Sequence, residues 1–139
     1  MRECNFKIRT TLDDAKIRYI KLMSPKEEYK WDEIQKSLHI GEVYVSEKDG
    51  YILFEDMAGE AFFGWETSAW LAFAGKNELI YAYYDEDGNA EIVCVKDGLC
   101  IRDFRIYKFE IDTDDSQIDF QYPITHWSDV ASFLDDNLH

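Results

Sequence analysis

At 139 residues the chain has the length of one domain, and its 46% hydrophobic, 16% aromatic and 32% charged residues make a globular composition that excludes disorder. Its 29 acidic against 15 basic side chains leave a net charge of −14, which excludes a basic footprint for nucleic acid or anionic lipid. A chain of this size buries about two-thirds of its unfolded surface, so it needs neither disulfides nor a structural metal to fold.

The N-terminal stretch MRECNFKIRTTLDD lacks the apolar segment of a secretory signal, and no run approaches about 18 apolar residues. The expectation is a cytoplasmic protein with no membrane span. Cys4, Cys94 and Cys100 are odd in number and lack C-x-x-C spacing, as expected of reduced thiols. Cys94 and Cys100 flank Asp97-Gly98, which leaves a disulfide between them open. The charge is lopsided: residues 1–50 hold ten basic and ten acidic side chains, and residues 51–139 hold five and nineteen. Seventeen of the 22 aromatics also follow residue 50. The acidic half is therefore the aromatic half.

In chain order, Thr11 to Met23 reads as a helix. Leu12, Ala15, Tyr19, Leu22 and Met23 recur at helical spacing, and Thr11 is placed to N-cap. Ser24-Pro25-Lys26-Glu27 has the form of a second helix start. Trp31, Ile34 and Leu38 supply its stripe, and Gly41 its end. From Glu42 the period changes to two. Glu42–Glu47 and Tyr51–Glu55 flank the turn Lys48-Asp49-Gly50. Ser68–Ala74 and Glu78–Tyr84 flank Gly75-Lys76-Asn77, and Ala90–Lys96 and Leu99–Phe109 flank Asp97-Gly98. Arg102-Asp103-Phe104-Arg105 breaks the alternation and predicts a bulge. The strand–glycine–strand pattern of Trp70–Tyr84 echoes that of Ile92–Phe104, as hairpin periodicity. Trp127–Leu138 returns to helix through Val130, Phe133, Leu134 and Leu138, with Thr125 or Ser128 as cap.

The expected fold is α+β in a single domain. N-terminal helices in the charge-balanced residues 1–41 lead to an acidic, aromatic antiparallel β-meander over 42–122, of about five to seven strands. A C-terminal helix over 126–138 packs on that sheet.

No residue pattern marks a catalytic site. His39, His126 and His139 lie far apart, without the converging spacing of a zinc site. Asp85-Glu86-Asp87-Gly88-Asn89 lacks the glycine and glutamate positions of an EF-hand loop and reads as a turn tip. Asp112-Thr113-Asp114-Asp115 reads as a solvated acidic loop. Neither a metal nor a cofactor is expected. Glu55, Asp56, Glu60 and Glu66 surround Phe62, Phe63 and Trp65, and with Trp70 they form an alternative reading. In it, an aromatic pocket of Phe62, Phe63, Trp65 and Trp70 holds a carboxyl, Glu60 or Glu66, of raised pKa. The protein would then be a small-molecule binder or minor hydrolase.

Ile40 to Phe54 resembles the opening strand pair of S1-type OB domains, which bind RNA. The net charge of −14 argues against RNA and leaves a generic hairpin. The principal reading rests on Tyr83, Tyr84, Asp85, Glu86 and Asp87, and on Tyr107, Glu110, Asp112, Asp114, Asp115 and Asp119. Tyrosines among acids supply anchors and steering for a basic protein. In size, charge and the run Tyr83-Tyr84-Asp85-Glu86-Asp87, the chain resembles the immunity proteins of bacterial toxin–immunity pairs. That resemblance implies a non-catalytic, one-to-one complex in which acids occupy the phosphate-binding Lys/Arg positions of a toxin, often a nuclease. A DNA-mimic inhibitor shares the same physics.

Overall fold

The computed structural model describes residues 2–117 and 122–139. The described residues form one nine-stranded antiparallel sheet in the order β2-β3-β4-β5-β1-β6-β7-β8-β9, with three helices. Strand β1 (Arg2–Ile8) lies at the centre, and α1 (Leu12–Met23) follows it. One meander, β2 (Lys30–Asp32), β3 (Ser37–Ile40), β4 (Val43–Lys48) and β5 (Tyr51–Asp56), occupies one side of β1. After α2 (Thr67–Ala74), a second meander occupies the other side: β6 (Leu79–Asp85), β7 (Ala90–Lys96), β8 (Leu99–Tyr107) and β9 (Glu110–Ser116). Helix α3 (Trp127–Asn137) ends the order.

The helices cover both faces. On one face, Cys4, Phe6 and Ile8 of β1 pack with Ala15 and Tyr19 of α1 and Trp70 and Phe73 of α2. Phe6 and Phe54 stack there at 4.5 Å. On the other face, Val130, Phe133 and Leu134 of α3 meet Ala82, Ile92, Cys94 and Phe104. Covering both faces buries β7 on both sides, so its only exposed residue is Lys96.

Several expectations hold. Helix α1 starts at Thr11, whose side chain accepts a hydrogen bond from the Asp14 N–H. The Lys48-Asp49-Gly50 and Asp97-Gly98 turns join strands, and their Asp and Gly residues take positive φ. Helix α3 packs on the sheet. Its entry is held by Asp129, whose carboxylate accepts the Thr125 and His126 N–H groups, rather than by a Thr125 or Ser128 cap.

Other expectations are corrected. The second N-terminal helix is absent, and its residues form β2 and β3. Ser24 is the left-handed C-cap of α1 (φ 44°), with its N–H bonded to Ile20 O, so it ends a helix rather than starting one. Asp32 accepts the Ile34 and Gln35 N–H groups in a local turn that competes with helix. The supposed stripe disperses, with Ile34 94% exposed and Trp31 54% exposed. Ser68–Ala74 falls in helix α2, not a strand, and the internal echo goes with it. An apolar run of this length is ambiguous by period, and Trp70, Phe73 and Ala74 are buried at helical spacing.

Strand β1 went unpredicted, although Cys4, Phe6 and Ile8 alternate with Glu3, Asn5 and Lys7. With β1, β2, β3 and β9 the strands among the described residues number nine rather than five to seven. The acidic segment at 112–115 is strand β9, not a loop. The bulges flank the predicted position. Cys94 pairs with Arg102 and Val95 with Cys100, which leaves Ile101 extra in β8. Arg105 pairs with Thr113 and Ile106 with Ile111, which leaves Asp112 extra in β9. The three cysteines are free, so Cys94 and Cys100 do not pair.

Candidate protein interface at the hairpin end of the sheet

Two hairpin turns meet at one end of the second meander. Asp85 organises the first. Its Oδ1 accepts the N–H groups of Asp87 (2.8 Å) and Asn89 (3.1 Å). Its Oδ2 accepts the Tyr83 hydroxyl (2.8 Å) and the Asn89 amide (3.0 Å). Burial alone would push the Asp85 carboxyl up, but the bonds from Asn89, Tyr83 and the turn amides outweigh it and hold the carboxyl below its ordinary range. The second turn, Lys108-Phe109, has φ of 51° and 66°, the left-handed pair of a tight two-residue hairpin. Phe109 N–H donates to Gly88 O (2.9 Å) and Lys108 N–H to Asn89 Oδ1 (3.0 Å), so the turns are tied together. The Phe109 ring lies on Gly88, where a Cβ would stand 2.5 Å from it.

Aromatic rings run across this end on the α3 face. Tyr84 stacks on Trp127 at 4.8 Å, and Phe109 meets Trp127 edge-on at 5.1 Å. The Trp127 indole N–H donates to Asp85 O (2.8 Å). Phe109 is 63% exposed and the neighbouring Ile111 54% exposed. Glu86, Asp87, Glu110, Asp112, Asp114 and Asp115 are also exposed around and along this surface. Asp114 pairs with the buried Arg102 at 2.6 Å. Pairing places Asp114 opposite Phe104, on the α3 face, and Asp115 opposite Asp103, on the α1/α2 face. The acids therefore line both sides of the strand.

The predicted partner-binding residues thus divide. Glu86, Asp87, Asp112, Asp114 and Asp115 reach the surface. Tyr84 is half-buried under Trp127. Tyr83 and Asp85 are buried and serve the turn. Tyr107 is half-buried, with its hydroxyl bonded to Glu91. Asp119 lies outside the described residues. The tyrosines point inward because even-spaced strand positions alternate between two covered faces, and a ring gains most where it leaves water. The exposed anchors at this end are Phe109 and Ile111, which the sequence reading passed over. Their signal was an apolar residue at a hairpin turn and another in an otherwise acidic run.

Of the alternative pocket residues, Phe62, Trp65 and Trp70 pack on one another, and Trp65 shares an open depression with Glu66. Trp70 and Phe62 are fully buried, and Trp70 stacks on Tyr81 at 4.3 Å and tilts against Trp65 at 4.6 Å. Phe63 lies over Tyr83 at 4.4 Å. Glu60 and Glu66 are exposed and border separate open depressions of about 350 and 310 Å³. Phe62 and Trp70 sit in the core layer between α2 and the sheet, Trp65 is half-buried against them, and Phe63 is exposed.

Beneath them is a polar cluster that the sequence reading missed. Glu91 is fully buried and accepts hydrogen bonds from Gly64 N–H (3.0 Å), Tyr81 OH (2.6 Å), Arg105 (3.1 Å) and Tyr107 OH. Arg105 also donates to Asp103 (2.8 Å) and to Trp65 O (2.9 Å), and Thr67 OH donates to Asp103. Both oxygens of Glu91 are saturated by protein donors, so the cluster clasps the 57–66 loop and α2 to the sheet. Its sequence signal was a glutamate inside the apolar strand Ala90–Lys96.

Glu3, Asp135 and His139 come together, with Nε2 of His139 at 2.6 Å from Glu3 and Nδ1 at 3.3 Å from Asp135. Each ring nitrogen faces a carboxylate, which is an ion-pair arrangement. Among the described residues, no helix is long and apolar enough to cross a membrane. Compared with family models, curated proteins and solved structures, the chain matches none.

Proposed function

We propose that the chain is a non-catalytic protein-binding module that holds a basic partner one-to-one through the hairpin end, in the manner of immunity proteins. The observation that carries this reading is the exposed pair Phe109 and Ile111 set among Glu86, Asp87, Glu110 and Asp112. Apolar side chains exposed on a hydrogen-bonded turn and the strand that follows it supply anchors that lose water on contact. The acids supply long-range steering towards Lys and Arg, and the net charge of −14 extends that field over the whole molecule. Phe62 and Trp70 of the pocket reading are spent on core packing and Glu60 and Glu66 are exposed, so the interface is the better-supported function.

The test compares the full chain with a Phe109→Ala/Glu110→Lys/Asp112→Lys variant as baits in extracts of the native host. The wild type is expected to retain a basic protein in a 1:1 complex by light scattering, and the variant to lose it while still folded by circular dichroism. Association should slow roughly tenfold or more between low and physiological salt, with dissociation little affected. Equal retention by the variant refutes this surface, and an association rate indifferent to salt refutes the electrostatic mechanism.

A further inference from the structure

We propose that the outer edge of β9 receives an extended, Lys/Arg-bearing segment of the partner as a tenth strand. This inference rests on the hairpin-end reading and adds the mode of recognition.

Among the described residues, β2 and β9 are the outermost strands. An edge strand carries a row of main-chain N–H and C=O groups satisfied only by water, which is the template that strand addition uses. Strand β2 spans three residues, too short to template much. Strand β9 spans seven. Gln117 N–H is bonded inward, to Ile101 O (2.9 Å). Antiparallel pairing alternates, so the N–H groups of Asp115 and Gln117 face β8 and those of Asp114 and Ser116 face outward. At the other end, the two-residue turn turns Glu110 inward and leaves Ile111 facing out.

The side chains select the occupant. Strand β9 reads Glu-Ile-Asp-Thr-Asp-Asp-Ser, four acids and no base. Two such edges brought together would set carboxylates opposite one another, which disfavours a second copy of this chain. A strand alternating basic and apolar residues reverses that sign. Its apolar residues cover Ile111 on the α3 face, and its bases, on the opposite face, meet Asp115. The acids that guard the edge against its own kind thereby admit a basic strand.

The experiment uses the full chain, ¹⁵N-labelled, with a capped ten-residue peptide alternating Lys and Val. At saturation, amide exchange is expected to slow at least tenfold at Asp114 and Ser116 and to stay unchanged at Asp115, whose N–H already faces β8. N-methylation of alternate residues along one edge of the peptide should cost at least tenfold in affinity, and a Glu/Val peptide should not bind. Shifts at Phe109 and Glu110 without protection of Asp114 and Ser116 would overturn strand addition and leave the hairpin-end contact standing. Equal binding by the N-methylated peptide would overturn it too. No response anywhere would overturn both.

Discussion

Replacing Glu91 by Ala tests the buried clasp. The side chain is fully buried and accepts four donors, two on each oxygen. Its removal leaves the Arg105 guanidinium, itself buried, with Asp103 as its remaining carboxylate at 2.8 Å. Breaking a buried pair from one side costs about 3–5 kcal/mol, because the surviving charge stays desolvated. The Tyr81 hydroxyl and Gly64 N–H also lose an acceptor, at about 1–3 kcal/mol for each donor that finds no other. These losses overlap, and Asp103 retains part of the compensation, so about 4 kcal/mol is expected for the whole. With a urea slope of about 2 kcal/mol per molar, the midpoint should fall by about 2 M. Amide exchange at Gly64 should rise with it, since that N–H is held by Glu91. The double replacement Glu91→Leu/Arg105→Met should be less damaging than Glu91→Ala, because it leaves no unpaired buried charge. A loss under about 1 kcal/mol for Glu91→Ala would refute the clasp.

Other outcomes follow from the same geometry. Gly88→Ala places a Cβ 2.5 Å from the Phe109 ring at a φ of +85°, so it should cost about 1–3 kcal/mol by chemical denaturation, and an unchanged midpoint would show that the ring is not seated there. Asp85, held below its ordinary range in the folded state, contributes stability that is present above about pH 4 and lost as pH falls through its folded value. Asp85→Asn should therefore be less stable at pH 7 and flatten the acid limb, whereas a limb of unchanged slope would refute that role. Tyr19 and Tyr107, pushed up to about 12 mainly by burial, contribute stability that is full below about pH 10 and lost towards 12; a stability flat to pH 12 would contradict this. Burial also pushes the Cys4, Cys94 and Cys100 thiols up, so a thiol reagent at pH 8 should label none of them rapidly before denaturation, and a fast-reacting thiol in the native protein would refute their placement.

Much of the local structure was legible along the chain. Thr11 and the helical spacing behind it marked α1, the Asp-Gly pairs marked tight turns, and Val130, Phe133 and Leu134 marked the inner face of α3. Those signals are local: a cap, a positive φ and a period are set by neighbours in sequence. The acidity of the second half was equally plain. Tertiary structure decided what local signals left ambiguous. Residues 68–74 are helical and 30–32 and 37–40 extended because of what each segment packs against, with Trp70 on Tyr81 and Leu38 paired to Trp31 and Val45. The central place of β1 depends on partners about fifty and eighty residues away, which no short window senses. The same holds at the hairpin end. Composition announced an acidic, aromatic surface, but the covering of both sheet faces drew Tyr83 and Tyr107 inward, and the docking of two turns pushed Phe109 out beside Ile111. A side chain's exposure is a property of the layers around it, and those layers exist only once distant strands have paired.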